Sequence, residues 1–264
     1  MIVKQIWTAN RMRNFNYLVA CEQTGEALAI DPCDVEKCLS VAHQNEWRIQ
    51  QVVNTHEHHD HIAGNKQMLR MTGATLLAPR DAADRIPHVD VALTAGDQVS
   101  VGESVQLRVL DTPGHTMSHI CLMTAAGPPV LFSGDTLFNA GTGHCRMGGD
   151  PETLFQTLQT QIAPLPDETQ VYPGHDYLIN NLRFTLDREP DNQRAAELLN
   201  ELGEDYVPDP PFVTTIGLER QINVFLRLES NTVISGLRET YPDRARNPDP
   251  REVFLMLREL RNDW

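Results

Sequence analysis

Residues 55–61 read Thr55-His56-Glu57-His58-His59-Asp60-His61, which places four histidines and an aspartate within six consecutive positions. Imidazole and carboxylate groups are the protein ligands of zinc and similar divalent ions. In an extended loop, side chains two residues apart point the same way, so His56 and His58 can converge on one ion. If the chain turns after His59, Asp60 and His61 can begin a second site. A solvated loop that happens to be rich in histidine is the alternative, and we favour metal binding.

A predicted buried strand, residues 49–54, precedes this loop and would hold its base rigidly. The metalloprotease motif His-Glu-x-x-His does not fit here, because Asp60 stands where the second histidine is required. The residues also lack the helical pattern on which that motif depends. The loop therefore predicts a metal site of a different kind.

Three later residues repeat one pattern, in which a predicted strand is followed by a glycine and then by a possible ligand: His115, Asp135 and His175. In open α/β sheets, functional groups lie beyond the carboxyl ends of the strands. We therefore expect four strand ends to meet along one edge of the sheet and to bring these residues next to the 55–61 loop. His119 is expected to be a structural neighbour of the site.

The chain changes character after His175. Up to that point it alternates short β runs with few helices, which indicates an α/β fold. Helical patterns then cover residues 177–203, 215–228 and 251–260, with a turn at Pro208-Asp209-Pro210-Pro211 that cannot continue a helix. We predict a catalytic domain over residues 1–176 and a small helical domain over residues 177–264.

The composition excludes several classes of protein. The 264 residues carry a formal net charge of −14, which disfavours a nucleic-acid partner. No apolar run reaches the ~18 residues of a membrane helix, and the start of the chain lacks the pattern of a signal peptide. The five cysteines suggest no disulfide framework. We expect a cytoplasmic enzyme, a monomer or weak oligomer, without a nucleic-acid or membrane partner.

The ligand pattern resembles the signature of the metallo-β-lactamase superfamily, His-x-His-x-Asp-His with three distant ligands. Within that superfamily the chain is similar to glyoxalase II, the hydroxyacylglutathione hydrolases, over nearly its full length. Four further stretches carry this likeness: residues 134–138, 174–177, 179–182 and 215–223. The resemblance implies a four-layered αβ/βα sandwich with a C-terminal helical domain.

The resemblance also implies a ligand set for two divalent metal ions, zinc being expected and iron or manganese being alternatives. His56, His58 and His115 would hold the first ion. Asp60, His61 and His175 would hold the second, and Asp135 would bridge them. Asp60 and Asp135 are therefore the expected catalytic carboxylates.

Substrate contacts are implied in the same way. Tyr177 matches a tyrosine that contacts glutathione, while Arg258 and Arg261 fall where basic residues grip its glycine carboxylate. The run after Gly143 departs from the family pattern, because His144 replaces the usual lysine or arginine and Arg146 stands where an aromatic residue is common. This departure leaves open whether the thiol half of the substrate is glutathione.

The resemblance implies hydrolysis of a thioester, with S-lactoylglutathione as the expected substrate. A site with two metal ions lowers the pKa of water from ~15.7 towards ~7, so that hydroxide can attack the carbonyl at neutral pH. A serine route is disfavoured because no Gly-x-Ser-x-Gly motif is present. The alternatives are an iron-dependent persulfide dioxygenase, a lactonase or β-lactamase on the same fold, and a non-enzymatic metal-binding module.

Overall fold

The first of two facing β-sheets is formed by the N-terminal part of the chain. The structure, a computed structural model, describes residues 1–203 and 205–264. The strands of the first sheet lie side by side in chain order: β1 Ile2–Trp7, β2 Phe15–Ala20, β3 Glu26–Ile30, β4 Arg48–Val53, β5 Thr75–Pro79 and β6 Val91–Leu93. Strands β1 to β3 are antiparallel, whereas β3 to β6 are parallel. Parallel neighbours need crossover connections, and these contain the helices α1 Val35–Gln44, α2 His59–Ile62 and α3 Asn65–Thr72.

The second sheet is mostly antiparallel and follows directly in the chain. Its strands and a small hairpin are β7 Gln98–Val101, β8 Val105–Asp111, β9 Ile120–Thr124, β10 Val130–Gly134, the hairpin β11 Leu137–Phe138 with β12 Gly141–Thr142, then β13 Gln170–Pro173 and β14 Thr214–Thr215. The order across the sheet is β14-β13-β10-β9-β8-β7. Strands β10 and β13 are parallel, and the helix α4 Pro151–Thr157 with the π-helical turn Leu158–Ile162 lies between them in the chain.

Helices dominate the last third of the chain. They are α5 Leu178–Arg188, α6 Gln193–Leu202, α7 Ile216–Ile222, α8 Asn231–Thr240 and α9 Pro250–Asp263, with a 3₁₀ turn at Val224–Leu226. Helix α9 begins with Asp249 and Glu252 in a capping box and with proline in its first turn, a combination that favours a helix start.

Three apolar clusters hold the layers together. The inner faces of the two sheets meet around Phe15, Tyr17 and Phe132. The outer face of the first sheet packs on α1 and α3 through residues such as Met68. The outer face of the second sheet packs on α4 and the C-terminal helices through residues such as Phe254. The result is the expected αβ/βα sandwich of four layers with a helical C-terminal part.

Several details of the predicted elements are wrong. The predicted helical stretch 177–203 is two helices, because Asn192 caps a new helix and accepts a hydrogen bond from the Ala195 amide. Helix α8 was not predicted, and the 55–61 loop ends in the short helix α2. Strand β14 pairs with β13, so part of the C-terminal region extends the second sheet. The domain division at Tyr177 stays a prediction.

Two further expectations concern the chain as a whole. No helix of the described residues is long and apolar enough to cross a membrane. The thiol groups of the five cysteines are all free in the structure, as the lack of a disulfide pattern in the sequence indicates.

Candidate metal centre

The predicted ligands come together at the ends of strands from both sheets. The loop after β4 carries His56, His58, Asp60 and His61, while His115 follows β8, Asp135 follows β10 and His175 follows β13. The expectation of a single sheet edge is therefore wrong. One sheet supplies the histidine-rich loop, and the facing sheet supplies the three distant residues.

The first cluster contains His56, His58 and His115. Their ligand atoms all lie within 4.8 Å of one another, and His58 Nδ1 is 3.0 Å from His115 Nε2. The other ring nitrogen of His58, Nε2, lies 2.9 Å from the backbone oxygen of Met147. His56 and His58 converge as the extended part of the loop predicts.

The second cluster contains Asp60, His61 and His175, again with ligand atoms within 4.8 Å of one another. The Nε2 atoms of His61 and His175 are 3.2 Å apart, and Asp60 Oδ2 is 3.4 Å from His175 Nε2. Helix α2 makes the turn that brings Asp60 and His61 to this cluster. The turn expected after His59 is therefore present.

Asp135 lies between the two clusters. Its Oδ2 atom is 3.4 Å from His115 Nε2 and 3.3 Å from His175 Nε2, and its Oδ1 atom is 3.5 Å from His61 Nε2. One carboxylate thus faces ligand atoms of both clusters, which is the geometry that a bridging ligand requires.

Backbone carbonyls orient two of the imidazole rings. His115 Nδ1 is 2.6 Å from the oxygen of His144, and His175 Nδ1 is 2.7 Å from the oxygen of Met12. A carbonyl oxygen can only accept, so Nδ1 must carry the proton in both rings. The lone pair of each Nε2 is then directed into the cluster, as metal-binding histidines require.

Asp31 is a functional residue that the sequence interpretation missed. Its carboxylate accepts from His61 Nδ1 at 2.9 Å, and from the amide and hydroxyl of Thr55 at 2.8 and 2.7 Å. The hydroxyl of Thr55 lies 3.0 Å from His56 Nδ1. Asp31 follows directly after strand β3, so the rule that singled out the other strand ends could have found it.

Two more polar residues hold the carboxylates in place. His119 Nε2 accepts a hydrogen bond from the amide of Asp135 at 3.0 Å, so it is the structural neighbour that the sequence predicts. Asn14 Nδ2 donates to Asp60 Oδ2 at 3.0 Å. No pattern in the sequence distinguishes Asn14 from an ordinary polar residue at the start of a strand.

The protonation states suit metal binding. Burial lowers the pKa of His56 well below its ordinary value and lowers that of His115 to about 4. Burial opposes ionisation of Asp135, but His175 and His61 outweigh it and hold the pKa of that carboxyl well below its usual range. Metal ligation needs neutral imidazole and ionised carboxylate, and His56, His115 and Asp135 have those forms at neutral pH. His61 differs: burial opposes its charged form, but Asp135 and Asp31 outweigh it and raise the pKa of His61 well above its ordinary value.

The cluster also contains buried polar atoms that have no hydrogen-bond partner within the part of the protein that the structure describes. Among the described residues, His56 Nε2 and Asp135 Oδ1 are buried and have no hydrogen-bond partner. The Nε2 atoms of His61 and His175 face each other at 3.2 Å, while each Nδ1 is engaged outside the cluster. Buried polar atoms left unpaired cost free energy, so the donor set fits divalent metal ions.

Two of the predicted substrate residues adjoin this cluster. The ring of Tyr177 stacks on that of His175, with centroids 5.0 Å apart and planes 6° apart. The Tyr177 hydroxyl donates to the Met12 oxygen at 3.0 Å. His144 contributes its backbone oxygen to His115, while its side chain is exposed.

The three predicted arginines lie farther out, on the loop after β12 and on α9. Arg146 pairs with Asp263 at 2.8 Å, and both side chains are more than half exposed. Arg261 is half-buried and donates to Asn181 Oδ1 at 3.3 Å. Arg258 is 4% exposed and donates to backbone carbonyls of the loop. Among the described residues, no hydrogen bond joins these arginine side chains to a predicted ligand.

Two family models match the chain, one after the other. Residues 20–175 match the metallo-β-lactamase superfamily, and residues 176–264 match the C-terminus of hydroxyacylglutathione hydrolase. A hydroxyacylglutathione hydrolase of Nitrosococcus oceani is 57% identical over 264 residues, covering 100% of both chains. One of a Polaromonas species is 56% identical, again over 100% of both chains.

Solved structures share the architecture. The ETHE1 protein of Myxococcus xanthus superposes with a TM-score of 0.69 at 25% identity, over 98% of this chain and 91% of that chain. The B3 metallo-β-lactamase BLEG-1 has a TM-score of 0.65 at 22% identity, over 85% of this chain and 99% of that one. The second likeness shows the fold alone.

Proposed function

We propose that this chain, which belongs to the hydroxyacylglutathione hydrolase family of the metallo-β-lactamase superfamily, hydrolyses a glutathione thioester of a hydroxy acid. S-lactoylglutathione is the proposed substrate, and the products are the hydroxy acid and glutathione. The observation that carries this proposal is the buried double cluster with Asp135 between its halves. The full-length likeness to enzymes of that name supports the substrate.

The metal complement is proposed to be two divalent ions, most simply Zn²⁺. His56, His58 and His115 would hold one ion, Asp60, His61 and His175 the other, and Asp135 would contact both. Nitrogen and oxygen donors suit zinc, and they also suit iron and manganese. When bound, such ions supply Lewis acidity that polarises a carbonyl oxygen and lowers the pKa of water.

The chain's own residues prepare the site for that chemistry. Asp31, Asn14 and His119 fix His61, Asp60 and the Asp135 backbone through direct hydrogen bonds. This arrangement needs little reorganisation when charge develops on the thioester carbonyl, and preorganisation of this kind lowers the barrier. A thiol has a pKa of about 8.5 and leaves readily as thiolate, so the site needs no separate general acid.

The substrate side is proposed to lie between the loop after β12 and the C-terminal helices. Tyr177 stacks on His175 and so borders the cluster, which supports a contact with the thiol half of the substrate. Arg261, half-buried on α9, is the better placed arginine to meet a carboxylate from solvent. Contacts from His144, Arg146 and Arg258 stay predictions, as do a catalytic domain 1–176 and a helical substrate-binding domain 177–264.

A hydrolysis panel combined with elemental analysis tests the proposal. The purified chain would be assayed with S-lactoylglutathione, with a lactoyl thioester of a small thiol, and with a lactone. We expect a clear preference for the glutathione thioester and about two metal ions per chain. Indifference to the thiol half would overturn the substrate, and full activity without metal would overturn the site.

A separate assay addresses the alternative oxidoreductase. A mononuclear iron dioxygenase uses two histidines and one carboxylate, whereas the second cluster here retains Asp60, His61 and His175. Oxygen consumption with glutathione persulfide, in place of thioester hydrolysis, would favour the dioxygenase. The expected cytoplasmic location and the expected monomer or weak oligomer remain predictions.

A further inference from the structure

The segment 139–143 follows strand β11, just after Asp135. It is held by side chains from the helical part of the chain. Asn181 donates to the Asn139 oxygen at 2.9 Å. The Ala140 amide donates to Glu219 at 2.9 Å. The remaining contacts are Asn223 Nδ2 to the Gly141 oxygen at 3.1 Å, and Arg258 Nη1 to the oxygens of Thr142 and Gly143 at 3.0 and 3.2 Å. We call these four side chains, Asn181, Glu219, Asn223 and Arg258, the clamp.

The side chains of the clamp are buried and make contacts among themselves and with the core. None of its four side chains is more than 4% exposed. Asn223 also donates to Glu219 at 2.9 Å, and the Arg258 guanidinium lies 5.2 Å from the centre of the Phe225 ring. Buried hydrogen bonds of this kind are costly to break, because each leaves an unpaired polar group behind. The clamp therefore fixes the path of residues 139–143.

That path leads directly to a predicted metal ligand. The residue after the clamped segment is His144, whose oxygen accepts from His115 Nδ1 at 2.6 Å. Gly143 lies so close to the cluster that a Cβ atom there would be 2.0 Å from the backbone oxygen of Asp135 and 2.8 Å from His115 Nδ1. A small displacement of Gly143 would therefore change the orientation of His115.

We propose that Arg258 is a positioning residue for the metal centre. Its Nη1 group fixes the carbonyls of Thr142 and Gly143, and through them it sets the His144 oxygen that orients His115. Arg258 thus acts on the first cluster through the backbone of residues 142–144. The activity readouts below rest on the proposed function, whereas the metal readouts do not.

This role makes a different prediction from a direct grip on the glycine carboxylate of glutathione. A carboxylate contact matters only for substrates that carry the carboxylate, and its loss raises KM. Loss of the Arg258 hydrogen bonds would misplace His115, which affects every substrate and lowers kcat and metal retention. Outer hydrogen bonds to metal ligands are typically worth about 10- to 100-fold in metal affinity or activity.

The test uses full-length Arg258→Met, which keeps an apolar stem and removes the donors, and Arg258→Lys, which keeps the charge and one donor group. The matched control is Arg238→Met, because Arg238 also donates to a backbone carbonyl, that of Ala245 at 3.2 Å, and does not contact the clamped segment. Each protein is loaded with Co²⁺, its visible absorption is recorded, and retention of Co²⁺ is measured against a competing chelator. Circular dichroism checks the fold.

Kinetics then compare two substrates, S-lactoylglutathione and its glycyl ethyl ester. For Arg258→Met we expect an altered Co²⁺ spectrum, about 10- to 100-fold weaker retention of one Co²⁺, and an equal fall in kcat for both substrates. Arg258→Lys should recover part of each loss, and Arg238→Met should match the parent protein in spectrum and retention.

Two results would overturn the proposal. One is an unchanged spectrum and retention in folded Arg258→Met. The other is a rise in KM confined to the substrate with the free carboxylate, which would assign Arg258 to substrate binding. If Arg258→Met does not fold, Arg258→Gln decides, because glutamine is shorter and uncharged; unchanged Co²⁺ binding in that folded variant contradicts the role. Failure of the parent protein to hydrolyse either thioester would instead contradict the proposed function and leave the metal result standing.

Discussion

The imidazole rings of this centre are oriented by hydrogen-bond acceptors that are not themselves predicted ligands. The histidines could be predicted from the sequence, because few patterns other than a metal site concentrate so much imidazole in one loop. Asp31 was missed because a single aspartate after a strand is usually a turn residue. Only the structure brings it within 2.9 Å of His61.

Asp31→Asn should weaken metal binding at the second cluster by about 10- to 100-fold. The charge that accepts the His61 proton is lost, so the lone pair of Nε2 becomes a poorer donor. Metal content after dialysis against a graded chelator measures the effect. Asp34→Asn is the matched control, because asparagine also caps a helix well and Asp34 caps α1, outside the cluster. Equal metal retention in both variants would contradict the role of Asp31.

The buried carboxyl group of Glu219 should make the free energy of unfolding depend on pH. Burial raises the pKa of Glu219 to about 7. Its contribution to stability is therefore complete below the unfolded pKa of ~4.3, falls as pH rises, and is lost above about 7, with a total change of about 4 kcal/mol. Urea unfolding of the parent and of Glu219→Gln between pH 4.5 and 8 should give curves that diverge over this window. Parallel curves would contradict the assignment.

At the scale of elements, the turns that join strands to ligands restrict the residue type as strictly as the ligand positions do. Gly174 links β13 to His175, and a Cβ atom there would lie 2.3 Å from Asp135 Oδ1 and 2.9 Å from His61 Cε1. The recurrence of glycine before a ligand was visible in the sequence. Its reason, a close approach to the neighbouring ligands, is visible only in the structure.

Gly174→Ala should abolish most metal binding and turnover, because the added methyl group occupies the space of the Asp135 carboxylate. The control is Gly236→Ala in α8, where nothing lies within 4 Å of the added atom. That variant should keep its activity and gain about 1 kcal/mol in stability from helix propensity. Metal analysis and urea unfolding measure both, and normal metal content in Gly174→Ala would contradict the steric argument.

Helix α8 shows where element prediction failed. It contains Gly236 and lies close to a proline at position 242, features that argue against a helix in the sequence alone. The structure forms it because Ser230 caps its start and because Val233 and Leu237 pack into the cluster on the second sheet. Tertiary packing of this kind overrides local propensity.

At the scale of the whole molecule, the sequence predicted the layers through a resemblance and not through periodicity. Alternating strands indicated an α/β fold, but periodicity does not assign a strand to a particular sheet. The expectation of one shared edge failed for that reason. In the structure, the centre is completed only where the two sheets face each other.

Removal of the metal ions by a chelator should leave the fold intact. The three apolar clusters that join the layers contain none of the predicted ligands, so the far-UV circular dichroism should persist after metal removal. With free metal about 100-fold above its Kd, binding adds about 2.7 kcal/mol, and its loss should lower Tm by about 5–10 °C. Restored Tm on adding Zn²⁺ completes the test, and loss of the dichroism signal would show that the fold itself needs metal.

The clamp has a consequence for the order in which the protein folds. Arg258 is 116 positions from Thr142 in the chain, yet it holds the loop that orients His115. Contacts between such distant parts of a chain form slowly, because a long loop must be closed first. We therefore expect the first cluster to reach its full metal affinity only late in folding, after α9 has packed against this loop.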